Sequence, residues 1–140
     1  MMTNHAFMDD WLALDNLQLK IKKELETALQ NELGLSIKEF YVLYHLSKAP
    51  EKKLRLQKLQ ELIGLSQSAL SRLVGNMEAK NCGALQKHMC TEDRRGTYTQ
   101  LTALGEDKLN RGLLSFYEVI SNNLAQMDSE RILKQLLQKL

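Results

Sequence analysis

The sequence predicts a mainly α-helical fold that carries one small β-hairpin. Three observations support this. Apolar residues recur at three- and four-residue spacing over most of the 140-residue chain. Strong stop and start signals divide that pattern: Gly34 then Ser36, Pro50, Gly64 then Ser66, and Thr102. Only the stretch from Ala84 to Leu101 departs from it, toward strand-like alternation and β-branched residues around a polar loop.

The first helix is expected over about Phe7 to Leu33, where Leu14, Leu17, Ile21, Leu25, Ala28 and Leu29 build one apolar stripe. Gly34 ends it. Ser36 with Glu39 three residues on forms a capping-box pattern for a second helix, "IKEFYVLYHLSK", apolar at Phe40, Val42, Leu43 and Leu46. Pro50 lies just beyond, where a helix cannot easily continue. A short extended piece around Leu54 to Leu56 precedes a short helix that should turn Leu59, Leu62 and Ile63 inward. Gly64 suits a turn with positive φ, and Ser66 is a good N-cap for a helix from Gln67 to about Lys80. The next two strands flank the polar segment "CTEDRRG". Thr102 then caps a long helix from Ala103 to about Gln126, lined by Leu109, Leu113, Phe116, Tyr117, Ile120 and Leu124. Asp128 is placed to cap a last helix with Ile132, Leu133, Leu136, Leu137 and Leu140 inward.

Composition is that of one folded domain: 44% hydrophobic, 26% charged, with one Pro and seven Gly. No apolar run approaches the ~18 residues that span a bilayer. The N-terminal "MMTNHAFMDDW" has acidic residues where a signal peptide would be basic, so a cytoplasmic protein with no membrane partner is expected. The net charge is only +2, but its distribution is uneven. Lys48 to Gln100 holds ten Lys/Arg against five Asp/Glu, and the rest of the chain nine against twelve. A basic middle between acidic ends points to a polyanionic partner for the middle. No catalytic motif, phosphate loop or metal-ligand spacing appears, so neither an enzyme nor a cofactor or metal is expected.

The segment "GLSQSALSRLVGNMEAK" is the informative one. On a helical wheel, Ala69, Leu70, Leu73, Val74 and Met77 share one side, and Gln67, Ser68, Ser71, Arg72 and Gly75 share the other. An ordinary solvated face would favour Glu, Lys and Gln, which are better helix formers. Short side chains beside one long cation suit a helix whose axis must approach the edges of base pairs in a major groove about 12 Å wide. The hydroxyls of Ser66 and Ser68, with the amides at the helix start, are suited to phosphate oxygens. Gln67 and Arg72 are long enough to touch bases. In the loop, Arg94 and Arg95 at a hairpin tip fit a narrow, A/T-rich minor groove, with Asp93 as an acceptor that fixes an arginine.

With these residues in order, the chain resembles the MarR family of bacterial winged-helix transcriptional regulators. The resemblance rests on Gly64-Leu65-Ser66, the run Ser68 to Val74, Glu78-Ala79-Lys80, Asp93 and Arg95 in the wing, and Leu101-Thr102 followed by Gly105. It implies a winged helix-turn-helix lobe over 36–101 and a homodimer joined through helices in 1–33 and 103–140. Ser66, Gln67, Ser68, Ser71, Arg72 and Arg95 are the DNA contacts it carries over, with Asp93 orienting the wing. It further implies a pseudo-palindromic operator, repression, and release by a small aromatic or lipophilic effector. Two features depart from the family pattern: Gln60 stands where a small residue is usual, and the stretch from Asn81 to Glu92 is longer.

Other readings of the residues remain open. Trp11, Tyr41, Tyr44 and His45 are candidates for lining an effector pocket, or simply for filling a core. Cys82 and Cys90 offer a thiol-responsive switch, although an extended segment between them would hold their Cα atoms beyond disulfide reach. A protein-binding helical adaptor is the alternative from another functional class.

Overall fold

The computed structural model describes residues 3–78, 83–89, 97–126 and 138. Its elements run α1 (Asn4–Leu33), α2 (Ile37–Lys48), a single 3-10 turn (Pro50–Lys52), β1 (Lys53–Arg55), α3 (Leu56–Ile63), α4 (Gln67–Met77), β2 (Leu85–Met89), β3 (Thr97–Leu101) and α5 (Ala103–Gln126). The mainly helical fold with a small sheet is the one predicted.

Helix boundaries follow from capping chemistry. The Thr3 hydroxyl accepts from the Ala6 amide at 3.1 Å, which starts α1 about one turn earlier than the apolar stripe alone suggests. Gly34 ends α1 in the left-handed region (φ 64), where its amide and that of Leu35 return to the carbonyls of Gln30 and Leu29. The capping box at Ser36 is complete: Glu39 N to Ser36 Oγ is 3.1 Å, and Ser36 N to Glu39 Oε1 is 2.9 Å. Gly64 caps α3 with φ 78. Two lysines reach carbonyl groups at the ends of other helices, Lys108 to Leu33 O and Lys38 to Ile63 O, both at 3.3 Å. Positive charge is favoured there by the helix dipole.

The core gathers around α2, which contacts α1, α3, α4 and α5 as well as β1 and β3. Leu29, Val42, Leu43, Leu46 and Leu59 are fully enclosed. Each such aliphatic side chain contributes about 1.5–3 kcal/mol relative to exposure. Gly112 lets α5 close on α2, because a Cβ there would lie 2.9 Å from the Phe40 ring. Two polar ties join α1 to α5: Asn123 donates to Glu24 and Ser115 to Glu32, each at 2.7 Å.

Several expectations are corrected. The hairpin is part of a three-stranded antiparallel sheet among the described residues, ordered β1-β3-β2, with Arg55 opposite Tyr98 and His88 opposite Tyr98 on the other side. Leu56 opens α3 rather than ending the extended piece. α4 stops at Met77, since Glu78 is already extended (φ −81, ψ −177). Leu62 is 43% exposed, because Leu59 and Ile63 already fill the inward face of so short a helix. Ala69 is exposed too, as the first turn of α4 projects past its neighbours. Tyr117 and Leu124 on α5 are exposed within the protomer. The last helix expected from Asp128 lies outside the described residues, apart from helical Gln138.

Candidate nucleic-acid interface

The candidate surface starts from α4. Ser66 is extended (φ −66, ψ 161), and its Oγ accepts from the Ala69 amide at 3.2 Å while lying 3.4 Å from Ser68 Oγ. Ser66 is therefore first a cap. Leu70, Val74 and Met77 hold the helix to the core, which turns Gln67, Ser68, Ser71 and Arg72 outward, all exposed. α4 contains no acidic residue, and Arg72 has no ion-pair partner among the described residues. At Gly75 a Cβ would meet nothing within 4 Å, so the rest of this side of the helix is flat. The helix presents five of the seven predicted contact residues on one surface. Arg94 and Arg95, with Asp93, lie outside the described residues, as do Cys82 and Cys90.

The wing is anchored to α5 at a tight junction. Thr102 Oγ1 donates to Gly83 O at 2.7 Å and accepts from Gly105 N at 3.0 Å, while Thr102 N bonds Ala84 O at 3.0 Å. One threonine thus joins the start of β2 to the first turn of α5. Gly105 is obligatory here: a Cβ would overlap the Ala84 carbonyl and come within 2.8 Å of Leu101. The Leu-Thr-x-x-Gly pattern in the sequence is this junction. A Lys52–Glu106 ion pair at 2.6 Å ties the turn before β1 to the same helix start.

Between α4 and the sheet lies a cleft of about 280 Å³, lined by Arg55, Leu56, Gln57, Gln60, Gln67, Leu70, Ser71 and Thr97. Gln60, the departure from the family pattern, is accounted for: it is half-buried on this polar wall rather than in apolar packing. Arg55 and Tyr98 were not singled out by sequence reasoning. Arg55 Nε donates to Tyr98 Oη at 3.0 Å, and its guanidinium carbon stands 5.3 Å from the Tyr98 ring centroid. The available signal was Lys53 and Arg55 alternating on a short strand, but their partner strand is more than forty residues away.

A second, apolar cavity of about 460 Å³ opens between α1 and α5 against α2, with Leu14, Ile21, Leu25, Tyr41, Phe116 and Ile120 in its walls. Of the four residues considered for an effector pocket, only Tyr41 lines it. Trp11 is 53% exposed near the start of α1, and Tyr44 and His45 stack edge-on 5.9 Å apart farther along α2, beside Lys48. Tyr41, Tyr44 and His45 lie at helical spacing on α2, but the cavity reaches only Tyr41.

Residues 33–96 match a family model described as MarR family. No curated protein matches the chain by sequence. Among solved structures, the chain is similar to Sco3205, a MarR family transcriptional regulator from Streptomyces coelicolor in complex with DNA. That likeness has 21% identity and a TM-score of 0.79, covering 99% of this chain and 85% of that one. It is also similar to the transcriptional regulator BldR from Sulfolobus solfataricus, at 25% identity and TM-score 0.72 over 99% and 96% of the two chains. A mutant MarR from E. coli complexed with operator DNA shares the fold at 19% identity and TM-score 0.72, over 91% and 89%.

Proposed function

We propose that this protein is a dimeric, sequence-specific DNA-binding transcriptional regulator that acts as a repressor; the match of residues 33–96 to a MarR-family model, within a fold shared with regulators of that family, supports the reading. The observation that carries this reading is the exposed side of α4. It offers two serines, a glutamine and an arginine around a helix with no carboxylate, and the sequence between β2 and β3 carries Arg94 and Arg95.

In this reading α4 enters the major groove. Ser66 and Ser68 donate to phosphates, Ser71 lets the helix approach closely, and Gln67 and Arg72 meet base edges, adenine and guanine being their natural bidentate partners. Arg94 and Arg95 enter the flanking minor groove, with Asp93 holding one of them. Dimerisation through α1, α5 and the segment that follows is supported by large apolar side chains left uncovered on both helices, including Trp11, Leu19, Leu114 and Tyr117. The apolar cavity beside Tyr41 supports release by a small lipophilic or aromatic ligand that changes how α1 and α5 sit on α2.

The deciding experiment selects bound duplexes from a random pool at stated ionic strength. The expected result is a pseudo-palindrome with half-sites about one helical turn, ~34–36 Å, apart. Affinity for it should fall steeply as salt rises. Failure to enrich any duplex, with no retention of bulk DNA at low ionic strength, would remove the reading.

A further inference from the structure

We propose that Asn123 and Ser115 of α5, through the carboxylates of Glu24 and Glu32 on α1, fix the register of α1 on α5 and so set the half-site spacing that the protein accepts in DNA. This rests on the dimeric DNA-binding reading above and adds to it the residues that determine its spacing specificity.

Apolar packing alone leaves that register loose. The stripe of α1 repeats Leu17, Ile21, Leu25 and Leu29 at four-residue intervals, close to one turn. Displaced by a turn, ~5.4 Å, α1 would again set apolar against apolar. Nor is the seam tightly interlocked, because the cavity of about 460 Å³ lies in it, between Leu14, Ile21 and Leu25 of α1 and Phe116, Ile120 and Leu124 of α5. Hydrophobic burial is non-directional and favours contact without choosing among such positions.

The polar ties do choose. Asn123 is buried, and its Nδ2 donates to Glu24 Oε2 at 2.7 Å and to Val119 O, one turn back on its own helix, at 2.8 Å. Both partners are acceptors, so both amide protons are committed and the side chain is held in one orientation. Ser115, also buried, donates to Glu32 Oε2 at 2.7 Å. The two ties are matched in spacing. Residues 24 and 32 on α1, and 123 and 115 on α5, are each eight apart, roughly 12 Å along an antiparallel pair of helices. A slide or rotation of α1 breaks both bonds at once and leaves two enclosed polar side chains without their carboxylates. The amide does not suit packing as such. Asn123 Oδ1 is enclosed and accepts from no donor among the described residues, a cost that leucine of similar size would avoid. Register, rather than stability, is what the pair supplies.

Register matters for DNA because the outer sides of these same helices carry the apolar side chains that would meet a second copy, Trp11 and Leu19 on α1 and Leu114 and Tyr117 on α5. Moving one helix along the other changes that composite surface, and with it the separation of the two α4 helices.

The test uses the full-length protein and duplexes that carry two selected half-sites at separations stepped one base pair at a time, beside a duplex with a single half-site. The wild type is expected to bind tightest at the selected separation. In Asn123→Leu/Ser115→Ala the preference for that separation over its neighbours should shrink by roughly tenfold, the scale of lost hydrogen bonds to charged groups. Affinity for the single half-site should stay at the wild-type value, because α4 is untouched. Glu24→Gln keeps an acceptor oxygen and should keep the wild-type spacing profile, whereas Glu24→Leu should broaden it. Glu24 is exposed, so these two variants carry the test if the buried substitutions fail to fold. A folded double variant, or a folded Glu24→Leu protein, with the wild-type spacing profile would overturn the proposal. So would a loss that is equal at every separation and on the single half-site, which would mark a general structural role, or a dimeric wild type indifferent to separation. A wild type that binds no duplex, or binds as a monomer, would instead remove the reading beneath it.

Discussion

Single side chains divide the surface labour between charge and shape. Arg72 projects from α4 with no carboxylate on its helix, so its charge is available to a partner rather than to the fold. Arg72→Ala is expected to leave the melting temperature within the small range typical of surface changes. It should cost ~1–3 kcal/mol of DNA affinity and relax base choice at one position of each half-site. Binding titrations on selected and substituted duplexes check this, and equal losses on every duplex would reassign Arg72 to a phosphate. Gly105 acts in the opposite sense, since it touches no partner but sets the wing. A Cβ at this position would collide with the Ala84 carbonyl, which is backbone and already bonded to Thr102. Gly105→Ala is therefore expected to destabilise by ~1–3 kcal/mol through overpacking. A denaturant titration reads that directly, and a variant as stable as the wild type would show that the junction yields.

At the scale of elements, α4 is short, and Gly75 lies in its interior, where an added methyl group would meet nothing within 4 Å. Its backbone is helical, so alanine can adopt the same conformation. Gly75→Ala should stabilise the protein by roughly 0.5–1 kcal/mol, seen as a raised denaturation midpoint at constant slope. Helix starts and stops were legible in the sequence because they are local. Ser36 with Glu39, Gly34, Gly64 and Ser66 each act within four residues of themselves, and each does in the structure what its chemistry implies. What escaped is non-local. The short extended piece near Leu54 was legible, but its pairing with β3 joins segments across two helices, so neither that pairing nor the Arg55–Tyr98 bond leaves a local trace. Periodicity also told which side of a helix is apolar but not how much of it finds cover. That is why Leu62 was expected inside and stands outside, why Ala69 is exposed although it shares the apolar side of its helix, and why four aromatic and histidine residues grouped for a pocket yield only Tyr41 at the cavity.

For the whole molecule, the question is what lies against the outer sides of α1 and α5. Leu114 is 69% exposed and Tyr117 is 71% exposed in the protomer, while on α1 Trp11 and Leu19 are each 53% exposed. Scattered exposed apolar residues are ordinary, but this set belongs to the two longest helices, outside the winged-helix lobe. A second copy of the chain, related by a two-fold axis, would cover both helices at once and hold two α4 helices at a fixed separation. Leu114→Glu places charge where the isolated protomer has open surface, so its fold should survive and its far-ultraviolet circular dichroism should match the wild type. In the dimer the same carboxylate would be buried without a partner, which is strongly unfavourable. Sedimentation velocity should then show the wild type as a dimer and Leu114→Glu shifted to monomer. Affinity for a two-half-site duplex should fall by orders of magnitude toward that for a single half-site, because the second contact is no longer intramolecular. A wild type that sediments as a monomer, or a Leu114→Glu variant that stays dimeric and binds as tightly, would mean that these helices are covered some other way and that the two half-sites are not held by this interface.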